Sequence, residues 1–432
     1  MNQRRFSVTQ STHRQAPGVP SRMQQEATSR TQAAPKRYAH AYIRHFIIFA
    51  VFAPFYFSYY NHGYYQDLFP AGILALLIVI NLFHKWRFDF KTNRIFAYTL
   101  GGTLLLYNVT CFVARHKYAG LQNYWKTDQF NITVAFLFLL VLLLVREQTN
   151  IVSRKVLQLF KYSIIINNIF ALITYFCGYR RFFMYNLLFI KNEMDPDFKA
   201  FQWYYQCTNE YALILLLYMA FFIIYRKLFR NIWTYALSQG LLLLLLVLSN
   251  APGALLAAGL LWTFVGLHYV TARFPIIKEN LLYILPLLVA ALGFVFFLAF
   301  TKNEIFNERF LMWKGSLEII RDTPQGWGNT FGVAPYETNY LPAGMFHAHN
   351  TFLVHMQRHS TPVGIMFLLL FVVLITFSAI RKPNFQTAGI WLAALLMLCM
   401  DFTLQTTNLP LVLFLIYCIF FRPKAKKPVV SN

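Results

Sequence analysis

The sequence contains few charged residues, and acidic residues are the scarcest of them. Only 13% of the 432 residues are charged, and 16 Asp and Glu stand against 39 Lys and Arg. A soluble globular protein carries roughly 25% charged residues. With 57% hydrophobic residues, the chain cannot cover a water-facing surface, which excludes a soluble enzyme and indicates a polytopic membrane protein.

Cysteine is also rare, which excludes a disulfide framework. The five cysteines are odd in number, lie mostly inside apolar runs and lack the close spacing of metal ligands. We interpret them as small buried hydrophobic residues. They are Cys111, Cys177, Cys207, Cys399 and Cys418.

Apolar runs of membrane-spanning length fill most of the chain. A bilayer core requires roughly 17–25 helical residues, and the shorter runs reach this length with flanking aromatic residues. The pattern predicts an all-α polytopic membrane protein with about 12 transmembrane helices. The runs lie near 43–61, 68–83, 95–113, 130–145, 160–178, 208–225, 231–249, 252–270, 281–300, 362–380, 387–402 and 408–421.

The distribution of charge predicts the orientation of these helices. With both termini in the cytoplasm, most of the 39 Lys and Arg fall on the cytoplasmic side and most of the 16 acids fall outside, as the positive-inside rule requires. The net charge of +23 therefore faces anionic lipid, and we expect no nucleic-acid partner.

The apolar runs divide the chain into two terminal tails, two groups of helices and one large outer loop. Residues 1–40 predict a disordered basic cytoplasmic tail, with an organellar transit peptide as the alternative, and 422–432 predict a second basic tail. Transmembrane helices 1–9 are expected over 41–300 and helices 10–12 over 362–421. The periplasmic loop 301–361 lies between them.

This loop is predicted to be partly helical. Apolar residues recur at helical spacing over 304–321, which indicates an amphipathic helix that could lie flat at the outer membrane interface. The residues of this face are Phe306, Phe310, Trp313, Leu317 and Ile320.

Four of the eleven histidines cluster within 347–359. His355 and His359 would share a helical face, as the histidines of zinc peptidases do, but no Glu lies between them and no carboxylate occurs from 338 to 360. We therefore predict no metal and no cofactor. These two histidines are interpreted as structural anchors at the interface.

The other two histidines favour acid–base chemistry. Histidine has an unperturbed pKa of about 6.5, which suits proton abstraction near neutral pH. His349 is followed by Asn350, whose amide can hydrogen-bond a substrate or orient the imidazole. We predict that His349 is functional, with His347 and Asn350 beside it.

The stretch resembles the O-antigen ligase and O-antigen polymerase superfamily of bacterial membrane glycosyltransferases. The shared pattern is His349-Asn350, then a Leu three residues after the Asn, then a Gly that enters an apolar helix. The Leu and the Gly of this pattern are Leu353 and Gly364. The resemblance also includes the opening of an earlier helix, Thr208 to Ala212, and an upstream block that consists of Glu308, Arg309, Phe310, Trp313, Pro324, Gly326 and Gly328. One turn departs from the family because it lacks the family's arginine: Ser249-Asn250-Ala251-Pro252-Gly253.

The resemblance implies a GT-C-like enzyme in the bacterial inner membrane. It implies an undecaprenyl-diphosphate-linked glycan as donor, a lipid A–core sugar or another lipid-linked glycan as acceptor, membrane lipids as surroundings, and a periplasmic active site. His349 would act as general base, and arginines would bind the diphosphate in place of a metal. The implied catalytic residues are His349, Asn350 and His347, and the implied diphosphate-binding residues are Arg180, Arg181 and Arg309.

Two alternatives to a ligase stay open. A polymerase would join lipid-linked repeats, and Arg321 and Gly332 fit an arginine, ten residues and a glycine found in some polymerases. Neither Arg180 nor Arg181 begins a second match, which favours a ligase. A flippase for lipid-linked sugars suits twelve helices, but the sequence has no paired halves.

Overall fold

The computed structural model describes a helical bundle and parts of its connecting segments. The residues that it describes are 94–117, 124–144, 153–179, 181–183, 188–190, 201, 203, 208–274, 304–326, 349–400, 404 and 408–421.

Eleven α-helices and one short hairpin lie within these residues. The helices are α1 (Arg94–Lys117), α2 (Tyr124–Leu144), α3 (Arg154–Phe176), α4 (Thr208–Ile224), α5 (Ile232–Leu248), α6 (Pro252–Arg273), α7 (Glu304–Asp322), α8 (Thr351–His359), α9 (Thr361–Arg381), α10 (Phe385–Met400) and α11 (Leu409–Ile416). A 3₁₀ turn (Arg226–Leu228) links α4 and α5, and a π-helical turn (Tyr417–Phe421) continues α11. The antiparallel strands are β1 (Arg181–Phe183) and β2 (Leu188–Ile190).

Most of the predicted apolar runs coincide with helices in the described part of the chain. Four helices are long and apolar enough to cross a membrane: Arg94–Ala114 of α1, and α3, α6 and α9. Helices α2, α4, α5, α10 and α11 contain shorter apolar stretches. The runs 43–61, 68–83 and 281–300 and both tails lie outside the described residues. The total of twelve helices and the GT-C-like class therefore stay predictions.

Local sequence explains where several helices begin. The Ser153 hydroxyl accepts a hydrogen bond from the Val156 amide at the start of α3, and the Asn231 side chain accepts one from the Thr234 amide, 2.8 Å away, at the start of α5. These are N-caps, which satisfy amides that a helix leaves open. Between α5 and α6 the chain turns at Asn250, whose φ is 50°, and the tight turn predicted there is confirmed.

Helices α4 and α11 form the centre of the bundle. Every residue of α4 from Glu210 to Ile223 is buried, and so is every residue of α11. By contrast α1, α3 and α5 expose large apolar side chains on one side, such as Leu105, Ile166 and Leu237. Apolar side chains on the outside of a bundle are expected where helices face lipid rather than water.

Part of the segment that connects α3 and α4 packs into the bundle. The Phe201 amide donates to the Leu248 carbonyl at the end of α5, and the indole Nε1 of Trp203 donates to Asn167 of α3 over 3.3 Å. Both aromatic side chains are fully buried. The loop therefore contributes to the core next to the first turn of α4.

Candidate active site

The long loop contains the predicted amphipathic helix, here α7, but its packed face only partly matches the predicted one. Met312, Ser316 and Ile319 are buried, as is Ile320 of the predicted face, whereas Phe310 and Leu317 of that face are exposed. Apolar residues thus line two sides of α7. One side packs against α8, and the other is available to the membrane interface.

The turn after α7 docks on the junction between α8 and α9. The Thr361 amide donates to the Pro324 carbonyl over 2.9 Å. Gly326 has a φ of 81°, and a Cβ at this position would lie 2.5 Å from the Ser360 amide nitrogen. Only glycine combines this left-handed backbone with so close an approach. The two halves of the sequence resemblance, the upstream block and the His-Asn segment, therefore meet in space.

Helix α9 folds back on α8 through a sharp reversal at Ser360. This residue has φ 93° and ψ 151°, a backbone conformation that residues other than glycine rarely adopt. A Cβ at Gly364 would lie 2.4 Å from the Met356 Cγ and 2.6 Å from its amide nitrogen. The absence of a side chain at Gly364 is therefore what allows α9 to contact α8.

His349 and Asn350 stand at the amino end of α8. The Asn350 Oδ1 accepts hydrogen bonds from the amides of Phe352 and Leu353, at 3.0 and 3.1 Å, so this side chain is the N-cap of α8. His349 precedes it with φ 44° and is partly exposed. The sequence predicted a substrate or imidazole contact for Asn350, and the structure adds a helix-capping role.

His355 and His359 lie within the same short helix and are buried. The His355 ring lies 4.0 Å from the ring centre of Phe367, and His359 Nε2 lies 3.0 Å from Asp128 Oδ2 on α2. Burial lowers the pKa of His355 well below its ordinary value, with His359 and Arg358 adding to the effect and Asp128 opposing it. Both imidazoles are therefore packing elements that join α8 to α9 and α2.

No metal-binding group occurs among the side chains that the structure describes. No three His, Cys, Asp or Glu residues of this part of the chain are grouped to hold an ion. His359 faces Asp128 instead, and this contact gives it a structural partner.

The predicted arginines are placed to different extents. Arg309 lies in α7, which packs against α8, and its Nη1 is buried. Arg181 is the first residue of β1. Arg180 and His347 lie outside the described residues. The structure thus joins the helix of Arg309 to the helix that follows His349.

Sequence reasoning missed Asp128 and a group of buried polar side chains around α7 and α8. The Trp313 indole nitrogen, the hydroxyls of Ser316, Ser360 and Thr361, and the Gln357 amide nitrogen are buried without a hydrogen-bond partner among the described residues. Of these residues only Trp313 was named from the sequence, and Ser, Thr and Gln are too common in apolar helices to indicate a buried polar group by themselves. Most buried polar atoms in proteins have a hydrogen-bond partner. The number of such atoms without one around α7 and α8 therefore marks this region as unusually polar for a buried part of the protein.

Comparison with known families agrees with this geometry. Residues 210–359 match the family model described as O-antigen ligase. This part of the chain is similar to the O-antigen ligase family. The match begins in the first turn of α4 and ends at the last residue of α8, so it includes the His-Asn pair, and it confirms the resemblance to the O-antigen ligase and polymerase superfamily. No curated protein matches the chain.

Helices α7 and α8, which pack together, both lie within the matched residues. Proteins of this family are membrane-integral, glycosyltransferase-like enzymes that act on lipid-linked glycans. The apolar helices of the chain fit a membrane location, and the α7–α8 unit carries His349-Asn350 at its edge together with a group of buried polar side chains.

Proposed function

We propose that the chain is an O-antigen ligase-type glycosyltransferase. It moves a glycan from undecaprenyl diphosphate to a sugar hydroxyl of lipid A–core, on the periplasmic side of the inner membrane, with inversion at the anomeric carbon. The observation that carries this proposal is the position of His349, directly before the capped amino end of α8 and inside the matched domain.

Accessibility supports His349 as the general base. Of the three histidines described in this segment, His349 alone is partly exposed, while His355 and His359 are buried against Phe367 and Asp128. A general base must come within hydrogen-bond reach of the proton that it removes. His349 can meet a substrate hydroxyl without rearrangement of the core.

The reaction is a single displacement. The imidazole of His349 removes the proton of the acceptor hydroxyl, whose oxygen forms a bond to the anomeric carbon of the donor sugar. The bond between that carbon and the diphosphate oxygen breaks, and undecaprenyl diphosphate leaves with the bonding electrons. Negative charge therefore develops on the leaving group, where fixed cations lower the barrier.

Arginine is suited to this leaving group because its planar guanidinium forms paired hydrogen bonds with phosphate oxygens. Arg309 is the best supported candidate, since its helix packs against α8. Arg180 and Arg181 are assigned the same role on sequence grounds. Asn350 orients the catalytic segment by fixing the first turn of α8.

A deletion strain complemented with variants tests the assignment. General-base catalysis contributes about 10²–10⁴-fold in rate, so His349→Ala should leave bare lipid A–core and full-length polymer on undecaprenyl diphosphate, while His84→Ala, outside the matched domain, restores lipopolysaccharide. Wild-type turnover by purified His349→Ala would overturn the role of this histidine. Single repeats in the deletion strain would indicate a polymerase, and repeats held inside the cell would indicate a flippase.

A second set of variants tests Arg309. Arg309→Gln removes the cation, Arg309→Lys keeps a charge without the paired geometry, and Lys314→Gln removes an exposed cation from the same helix. We expect turnover to fall at least about tenfold with Gln, less with Lys, and not at all in the Lys314 control. Equal effects at the two positions would contradict a specific diphosphate contact.

A further inference from the structure

A second polar site lies at the other end of the bundle. A groove of about 1040 Å³ is formed by the turn between α4 and α5, the first residue of α3, the carboxyl end of α6 and the start of α10. Gln386 of α10 lines it, five residues beyond the end of α9. Helix α9 has 21 residues, a length of about 30 Å, which separates the groove from α8.

The groove is strongly basic. Arg154, Arg226, Lys227 and Arg230 line it together with His268, and none of its described lining residues is Asp or Glu. A cleft lined by charges of one sign and walled by apolar groups concentrates the electrostatic potential. The ligand chemistry that fits is therefore an anion.

The cationic turn is held by specific contacts. Lys161 of α3 is buried, and its Nζ donates to the Leu228 carbonyl over 3.0 Å and lies 4.9 Å from the Phe229 ring centre. The Tyr225 hydroxyl donates to the Cys418 carbonyl in the π-helical turn. The Arg226 guanidinium lies over the Tyr235 ring, 5.6 Å from its centre. The fold thus presents these cations on a fixed backbone.

The surroundings of the groove favour a lipid over a free anion. Trp233 and Leu237 of α5 are exposed by 74% and 73%, and Tyr269 and Phe274 at the end of α6 are exposed as well. These side chains offer an apolar surface for acyl chains directly beside the cations. Exposed tryptophan and tyrosine at helix ends are typical of the membrane interface.

We propose that this groove binds the phosphate headgroup of an anionic glycerophospholipid, in the leaflet that the charge bias predicts to be cytoplasmic. The cations of the 226–230 turn and Arg154 contact the phosphate, and the acyl chains lie along α5 and α6. Basic pockets between membrane helices suit such headgroups. This site is independent of the chemistry assigned to His349.

Lipid titration of the full-length protein in detergent, read by native mass spectrometry, tests the proposal. We expect phosphatidylglycerol to bind more tightly than phosphatidylcholine. The pocket variant Arg154→Gln, Lys227→Gln, Arg230→Gln should lose on the order of 100-fold in affinity for phosphatidylglycerol, given about 1 kcal/mol per cation. The variant Arg154→Lys, Lys227→Arg, Arg230→Lys keeps the charge and should keep the binding.

A matched control separates the groove from general membrane charge. Arg94→Gln, Lys155→Gln, Arg273→Gln removes the same charge from exposed residues that do not line the groove and should change the affinity less than about twofold. Equal losses in the two triple variants would overturn the proposal. Displacement of bound phosphatidylglycerol by inorganic phosphate alone would also overturn it, because the ligand would then be a free anion.

Discussion

The two ends of α8 place the same residue type in opposite environments. His349 precedes the helix and is partly exposed beside its capping Asn350, whereas His355 and His359 are buried against Phe367 and Asp128. Ten residues therefore separate the partly exposed histidine, proposed to act on the substrate, from one whose contact with α2 holds α8 in place. The comparison shows that a histidine cluster in a sequence divides into chemistry and packing only when the neighbouring elements are known.

The largest effect expected is on turnover, and it should appear at one end of α8 only. His349→Ala should lower transfer by about 10²–10⁴-fold without moving the thermal unfolding midpoint in detergent. His355→Phe should keep turnover, because an aromatic ring still packs on Phe367. Loss of turnover in a folded His355→Phe protein would break the comparison.

The next effect concerns the contact that positions α8 on α9. Gly364→Ala places a methyl group 2.6 Å from the Met356 amide nitrogen, so we expect destabilisation of about 1–3 kcal/mol. Gly266→Ala is the matched control, because a Cβ there meets nothing within 4 Å. Chemical denaturation should separate the two variants, and equal stability would contradict the close approach.

The stability of the folded protein should also depend on the contact between His359 at the buried end of α8 and Asp128. Asp128→Asn removes the charge from this 3.0 Å contact and should destabilise the protein by about 2 kcal/mol. A double-mutant cycle with His359→Gln isolates the pair, since residues in contact show coupling of about 0.5–3 kcal/mol. Additive effects of the two substitutions would mean that the contact contributes nothing.

The smallest effect is a pH dependence that belongs to His355. Its pKa is lower in the folded protein than in the unfolded chain, so the unfolded chain binds more protons once the pH falls below about 6.5. Folding stability should therefore be complete above this pH and decline as the pH falls towards the folded pKa, by at most about 1.4 kcal/mol per pH unit. His355→Phe should flatten the unfolding profile in this window, and an unchanged slope would assign the effect to another group.

Local patterns allowed much of the fold to be predicted. The apolar runs became helices because a backbone in lipid must satisfy its own hydrogen bonds, and helical spacing over 304–321 predicted α7 within one residue of its observed end. The apolar run predicted at 362–380 likewise coincides with α9 (Thr361–Arg381).

Contacts between distant segments could not be predicted. Asp128 and His359 are far apart in sequence, and nothing in either segment indicates the other. The packed face of α7 was also beyond local reasoning, because apolar residues occur on two sides of this helix and only the position of α8 decides between them. The basic groove is formed by residues from five helices and one 3₁₀ turn, which no local pattern could bring together.

The burial of α11 constrains how the protein is made. Its residues and those of the π-helical turn that follows lie wholly inside the bundle, in contact with α2 and α4, which are translated much earlier. The contacts of α11 with these two helices can therefore form only after α11 has been translated. The centre of the bundle is completed late in biogenesis, when α11 joins helices that were made before it.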